Sequence, residues 1–165
     1  MTRQLLRSFA ALLTFLFSAG CLHAAPQIKA TAAFSAPERI GDPPATLKER
    51  GVRRVRPVEI NLNLFDRSKT PPLHIQMNFF SDVNIDVQWD HVEPVNQPSG
   101  FMWTGGVSGR PGGHATIVIS GTTVSGNISR GDGWIYEIRT TEDGRRWVRE
   151  INQRDFPEES QPVVK

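Results

Sequence analysis

From Val58 onward the chain alternates. Val58, Ile60, Leu62 and Leu64 are separated by Glu59, Asn61 and Asn63. Leu73, Ile75, Met77 and Phe79 are separated by His74, Gln76 and Asn78, and Val83, Ile85, Val87 and Trp89 by Asn84, Asp86 and Gln88. A period of two puts one face of each run in a core and the other in water, as antiparallel strands do. Weaker runs at 101–107, 115–120, 123–129, 134–140 and 146–151 extend the series. Their connections, Ser120-Gly-Thr122, Arg130-Gly-Asp-Gly133 and Glu142-Asp-Gly144, are hairpin-turn sequences. The fold class expected is all-β: an antiparallel β-sandwich or curled sheet of about eight short strands. Beyond a short helical turn near 45–50, no helix is expected.

The flanks break this rhythm. Residues 1–25 read as an export signal, with Arg3 and Arg7 ahead of the apolar run Phe9-Ala-Ala-Leu-Leu-Thr-Phe-Leu-Phe17 and small residues at Ala24 and Ala25. That run is too short to span a bilayer, so an exported product, periplasmic or secreted, is expected. The stretch Ser18-Ala-Gly-Cys21 resembles a lipobox with Ser18 where Leu is usual, making lipidation at Cys21 the less favoured alternative. Residues 26–56, with Pro26, Pro37, Pro43 and Pro44, read as a Pro-rich arm or linker ending in the basic run Arg50-Gly-Val-Arg-Arg-Val-Arg56. The β-domain is placed at 57–157 and a frayed tail at 158–165.

Charge and cysteine content narrow the function. Two of the nineteen basic residues lie in the leader, so the mature chain carries seventeen of each sign. That balance removes the electrostatic case for nucleic acid. The single cysteine, Cys21, is also in the leader. No disulfide framework or thiol nucleophile is then available.

Candidate chemistry is sparse. His74, His91 and His114 lack the spacing of a zinc site, and no metal or cofactor is expected. No nucleophile elbow is present. Asp82, Asp86, Asp90 and Glu93 read as a solvated acidic edge, without the compact loop that calcium needs. The glycine-rich stretch 105–113 opens into a strand and lacks the phosphate-loop ending. Arg130-Gly-Asp132 is explained as a hairpin tip, and Asn127-Ile-Ser129, a glycosylation sequon, falls inside a strand. Of the four tryptophans, Trp89 follows the apolar phase of its strand, while Trp103 fits either core or surface. The chain is expected not to be an enzyme.

An ordered series of short motifs carries a resemblance. Met77-Asn-Phe-Phe-Ser-Asp-Val83, Asp90-His-Val-Glu93 and Gly100-Phe-Met-Trp-Thr-Gly105 are followed by Gly109-Arg-Pro-Gly-Gly-His-Ala-Thr-Ile-Val-Ile-Ser-Gly121. Val124-Ser-Gly-Asn127, Gly133-Trp-Ile-Tyr-Glu-Ile-Arg139 and Arg149-Glu-Ile-Asn-Gln153 complete it. Together, over about 58–157, they are similar to the prodomain-like N-terminal region of secreted bacterial reprolysin-like (metzincin) zinc metalloproteases. The catalytic H-E-x-x-H-x-x-G-x-x-H stretch is missing from this sequence. The resemblance implies a non-catalytic stand-alone prodomain that binds a zinc metalloprotease and restrains or assists it. Latency through a cysteine thiolate on zinc is excluded, leaving occlusion of the cleft or strand addition. The surface to look at first is the hairpin from Trp103 to His114, with Arg110 as a charged handle and His114 as a possible zinc ligand. Two alternatives stand beside this reading: a periplasmic or surface glycan- or peptide-binding module, and a truncated metalloprotease gene product.

Overall fold

A computed structural model describes residues 31–38, 41–66, 68, 72–96 and 99–156. The segment expected to be an export signal, Cys21, and residues 158–165, expected to be a frayed tail, lie outside the described residues. The described residues form an all-β protein with ten strands in one mixed sheet: β1 (Thr31–Ala32), β2 (Phe34–Ser35), β3 (Val52–Ile60), β4 (His74–Phe80), β5 (Val83–Asn96), β6 (Ser99–Val107), β7 (His114–Ser120), β8 (Thr123–Ser129), β9 (Trp134–Thr140) and β10 (Arg146–Asn152). Their order across the sheet is β1-β4-β5-β6-β7-β8-β9-β10-β3-β2. Since β1 and β2 are one continuous stretch of five residues, the two edges of the sheet meet there. The sheet is nearly closed into a barrel. Instead of two sheets facing each other, as in a sandwich, one sheet curls on itself around a single core.

The expected alternation builds that core. Ile75, Met77 and Phe79 of β4, Val87 of β5, Trp103 of β6, Ile117 of β7, Val124 and Ile128 of β8, and Tyr136 and Ile138 of β9 are fully buried. The phenol ring of Tyr136 stacks on Phe79 at 4.8 Å, and Phe34 packs against Phe79 at 5.2 Å. The 3-10 turn at Leu62–Phe65 plugs one end: Phe65 meets Trp89 and Trp103 edge-on at 5.8 and 5.7 Å. Offset and edge contacts of this kind add stabilisation beyond the buried area. With apolar side chains inside and polar ones outside, the barrel has the reverse of the pattern a lipid-facing barrel requires.

Three local devices shape the barrel. Asp90 is an extra residue in β5, since Trp89 pairs with Gly105 while His91 pairs with Thr104. The bulge inverts the phase, so Val92 packs on the core and His91 is exposed. Gly105 allows the crossing, because a Cβ there would lie 2.3 Å from the Gln88 carbonyl oxygen. The third device lies between β8 and β9, whose ladder runs only from Gly126↔Ile138 to Ser129↔Ile135. Beyond it, Thr140 takes the place of a ladder partner. Its Oγ1 accepts from Val124 N–H at 2.9 Å and donates to the Val124 carbonyl at 2.8 Å.

Two boundaries differ from expectation. Within the stretch read as an arm, residues 31–35 close the sheet and β3 begins at Val52. Its early half was obscured because Arg54 and Arg56 occupy inward positions, where the apolar phase would need hydrocarbon. Residues 41–50 lie over the outer face of β10. The guanidinium of Arg149, 3% exposed, pairs there with Glu49 at 3.1 Å and with Glu137. Trp147 is wholly buried on the same face, so β10 is covered on both sides.

Replacing Thr140 by Val keeps the side-chain shape but leaves the Val124 N–H and C=O without a partner. A loss of about 1–3 kcal/mol in urea unfolding is expected, with Thr140→Ser closer to wild type.

Candidate functional site

The β6–β7 turn, the β8–β9 turn and the β4–β5 turn gather at the end of the barrel opposite the Phe65 plug. The first two pack backbone to backbone. Gly131, at φ +76°, sits so close that a Cβ would approach the Pro111 carbonyl oxygen to 3.0 Å. Asp132 receives Arg130 at 2.9 Å and Arg110 at 3.5 Å. The Arg-Gly-Asp tip is therefore internally paired and not presented as a free tripeptide. A polar cleft of about 270 Å³ lies beside it, lined by Asp82, Asp86, Ser108, Arg110 and Arg130 among others.

The structure does not bring Trp103, Arg110 and His114 together as one surface. Trp103 is 1% exposed and belongs to the core, while Arg110 and His114 are on the outside. The opposed directions follow from strand alternation, since Trp103, Gly105 and Val107 share the inner face of β6. Trp89 and Trp147 are likewise buried and Trp134 half-buried. Among the described residues, the large exposed apolar side chains are Leu73 and Phe156. A row of exposed indoles for stacking sugars is not among them.

The acidic residues are spent separately. Asp82 pairs with Arg54 at 2.7 Å, and that guanidinium holds its carboxyl below the usual range. Asp86 accepts from Ser108 Oγ at 2.8 Å and faces His74 Nδ1 at 3.0 Å. Glu93 lies 3.5 Å from His91. Among the described residues, no three His, Cys, Asp or Glu side chains converge as metal ligands.

What the sequence reading missed is a group of inward arginines. Arg54 and Arg56 share the core face with Val58 and Ile60, since Arg56 sits opposite Val148 and Arg54 opposite Glu150. Arg54 grips Glu150 with two bonds, Nε at 2.9 Å and Nη2 at 2.5 Å, and lies 4.3 Å over the Phe80 ring. Its pKa is raised, first by the bond to Glu150 and then by Asp82. Arg56 differs. It donates to the Asn78 carbonyl at 2.5 Å, its Nε is buried without a partner, and burial alone pulls its pKa down. The signal was present as Arg53-Arg-Val-Arg56: two arginines spaced by two, in register with the apolar phase that follows.

A second feature is the β5–β6 hairpin. β4 pairs with β5 only as far as Gln88, opposite His74. Among the described residues no strand covers the outer edge of β5 from 90 to 96, where Asp90, His91, Pro94 and Asn96 are exposed. The hairpin thus runs past β4 with its β5 edge open, while its β6 strand stays laddered to β7 as far as Phe101↔Ile119. Pro94 removes one N–H from the hairpin, which blunts open-ended pairing with other sheets.

No family model, curated protein or solved structure matches the chain.

The arginine group generates a stability test. Arg54→Met should cost about 3 kcal/mol in denaturant unfolding, because it strands the buried Glu150 carboxylate; the double change with Glu150→Met should recover most of the loss. Tyr136 offers a second. It is the only tyrosine, and burial raises its pKa, with Arg130 opposing. Its neutral form is favoured by folding, so this contribution is intact below the unfolded value of about 10 and lost as pH rises past it. Phenolate absorbance should appear above that pH and together with loss of the near-ultraviolet circular dichroism of the tryptophans.

Proposed function

We propose that the chain is an exported, non-catalytic binding domain, akin to a stand-alone metalloprotease prodomain, whose open β5 edge docks at the cleft of a zinc metalloprotease and restrains or assists it. The observation that carries this reading is the unpaired outer edge of β5 from Asp90 to Asn96, on a hairpin whose other strand is laddered to β7 and whose base is held by Trp89 and Trp103. It belongs to the motif series that supports the resemblance, through Asp90-His-Val-Glu93 and Gly100-Phe-Met-Trp-Thr-Gly105. A strand edge held rigid by the sheet behind it loses little entropy on binding, which favours affinity. His91, exposed on this edge, and Glu93, half-exposed beside it, are the polar groups nearest to hand for a metal centre or substrate subsite. The β6–β7 turn is less suited, since its Arg110 is directed at Asp132.

The glycan alternative has less support, because three of the four tryptophans are buried. A peptide partner remains compatible with the open β5 edge.

Tagged exported chain starting at Pro26 should recover a zinc protease from the exported fraction of its source, and added chain should change that protease's rate. Replacing His91 and Glu93 together by Ala should weaken binding at least tenfold with an unchanged far-ultraviolet spectrum, while His114→Ala leaves affinity unaltered. Recovery of no zinc protease, or equal binding by the His91/Glu93 variant, would overturn the proposal.

A further inference from the structure

Among the described residues, the junction between β3 and β4 is filled by a strand over only part of its length. Its lower part is taken by residues 31–35. β1 runs parallel to β4 at Thr31↔Ile75 and Ala32↔Gln76, and β2 runs antiparallel to β3 at Phe34↔Ile60 and Ser35↔Glu59. The Asn78 side chain reads the backbone of Phe34, accepting from its N–H at 2.9 Å and donating to its carbonyl at 2.7 Å. Above Ser35 the strand ends, while β3 and β4 continue and Pro37 and Glu38 border a cavity with Pro57, Val58 and Glu59. Among the described residues no backbone bond reaches the facing edges there. Two side chains cross the gap instead: Arg56 to the Asn78 carbonyl and Arg54 to the Asp82 carboxylate at 2.7 Å. Among the described residues, arginine side chains and not a strand link β3 to β4 above the seated strand.

Its chemistry is specific. Asn61 N–H donates to the Ala33 carbonyl at 3.0 Å, so by alternation the backbone groups of Glu59, Pro57 and Val55 face the junction. Pro57, which has no N–H, falls on this open edge, where a proline is tolerated. Beside it, a groove of about 280 Å³ is lined by Lys48, Val52, Arg53, Arg54 and Val55 with Pro43. Arg53 has Asp155 at 2.7 Å and Arg54 has Glu150 and Asp82. Arg56 has no carboxylate among the described residues, and it lies 5.9 Å from the Phe80 ring. A half-buried guanidinium with a neutral carbonyl as its acceptor is an uncompensated cation.

We infer that the upper β3–β4 junction is a docking site for an extended peptide segment of a partner protein that adds as a strand beside Val55 and places an acidic side chain on Arg56. The occupant is set by two complementarities: main-chain groups on the open edge of β3, and a carboxylate for the arginine that lacks one. The site is separate from the open β5 edge and stands or falls independently of the protease reading.

The probes are two octapeptides of alternating Thr and Val with a central Glu or Gln, titrated calorimetrically into the full exported chain. The Glu peptide should bind at least tenfold more tightly than the Gln peptide, and Arg56→Gln should abolish that difference. Arg56→Lys should retain part of it. A measurement needing no variant is amide exchange: the Glu peptide should slow the Val55 N–H in the wild-type chain. Equal affinity of the two peptides, absence of binding at millimolar concentration, or an unaltered Val55 amide would overturn the inference. Tight binding of free glutarate alone, marking a small-anion site, would overturn it too. If a chain ending at Phe156 binds the Glu peptide far more tightly than the full chain, the acidic tail is the natural occupant and a partner segment is not.

Discussion

Closure between β3 and β4 is the constraint on which the rest of this fold depends. A nearly closed sheet removes its own edges, and an open one presents unpaired N–H and C=O groups to water and to other chains. Here ladder hydrogen bonds alone do not complete the circle. Five residues and two guanidinium groups do so, the first through backbone bonds to Gln76 and Asn61, the second through the Asn78 carbonyl, Asp82 and Glu150. Phe34 and Phe80 make the joint dry from either end, one against Phe79 and the other beneath Arg54. The stacked Phe79–Tyr136 pair then links this joint to the opposite wall.

Burying charge for this purpose has a cost, since a desolvated ion pair recovers its penalty only with good geometry. The Arg54–Glu150 pair meets that condition with two parallel bonds, the arrangement in which planar guanidinium and carboxylate fit best. The same solution recurs outside the barrel, where Arg149 is held between Glu137 and Glu49 and ties residues 41–50 down over Trp147. β10 thus carries a buried charge on each face, Arg149 outward and Glu150 inward. A strand with five consecutive buried residues, 147–151, two of them charged, has no two-residue polarity period left to read.

That explains which parts of the fold were legible. β4, the first half of β5 and the strands from β6 to β9 bury hydrocarbon on one face only, so their alternation gave them away. The second half of β5 was lost at Asp90, where the bulge exchanges inside for outside. β1 and β2 are too short for any period, and their partners lie far along the chain, in β4 for one and β3 for the other. β3 was half visible: Val58 and Ile60 follow the rule, while Arg54 and Arg56 obey its geometry with the opposite chemistry. Trp103 could not be assigned from sequence because Gly105 and Gly106 follow it and carry no side chains to mark the phase. The candidate site suffered accordingly, since a hairpin read as one surface has Trp103 on the inner face and Arg110 and His114 on the outer.

The two surfaces singled out by the structure differ in what binding there does to the barrel. The open β5 edge beyond Asp90 lies away from the joint between β3 and β4, so a partner gripping it gains affinity without touching the closure. The β3–β4 junction is the closure itself. A ligand that completes the missing strand binds the folded chain and not the unfolded one, and stabilises it by an amount that grows with the logarithm of ligand concentration over its dissociation constant. Conversely, any loosening of Arg54 or of residues 31–35 weakens the junction as a receptor. Occupancy of the junction and integrity of the barrel are therefore one equilibrium, whereas occupancy of the open β5 edge is another. A domain that used both would hold one partner by shape and sense a second through its own stability.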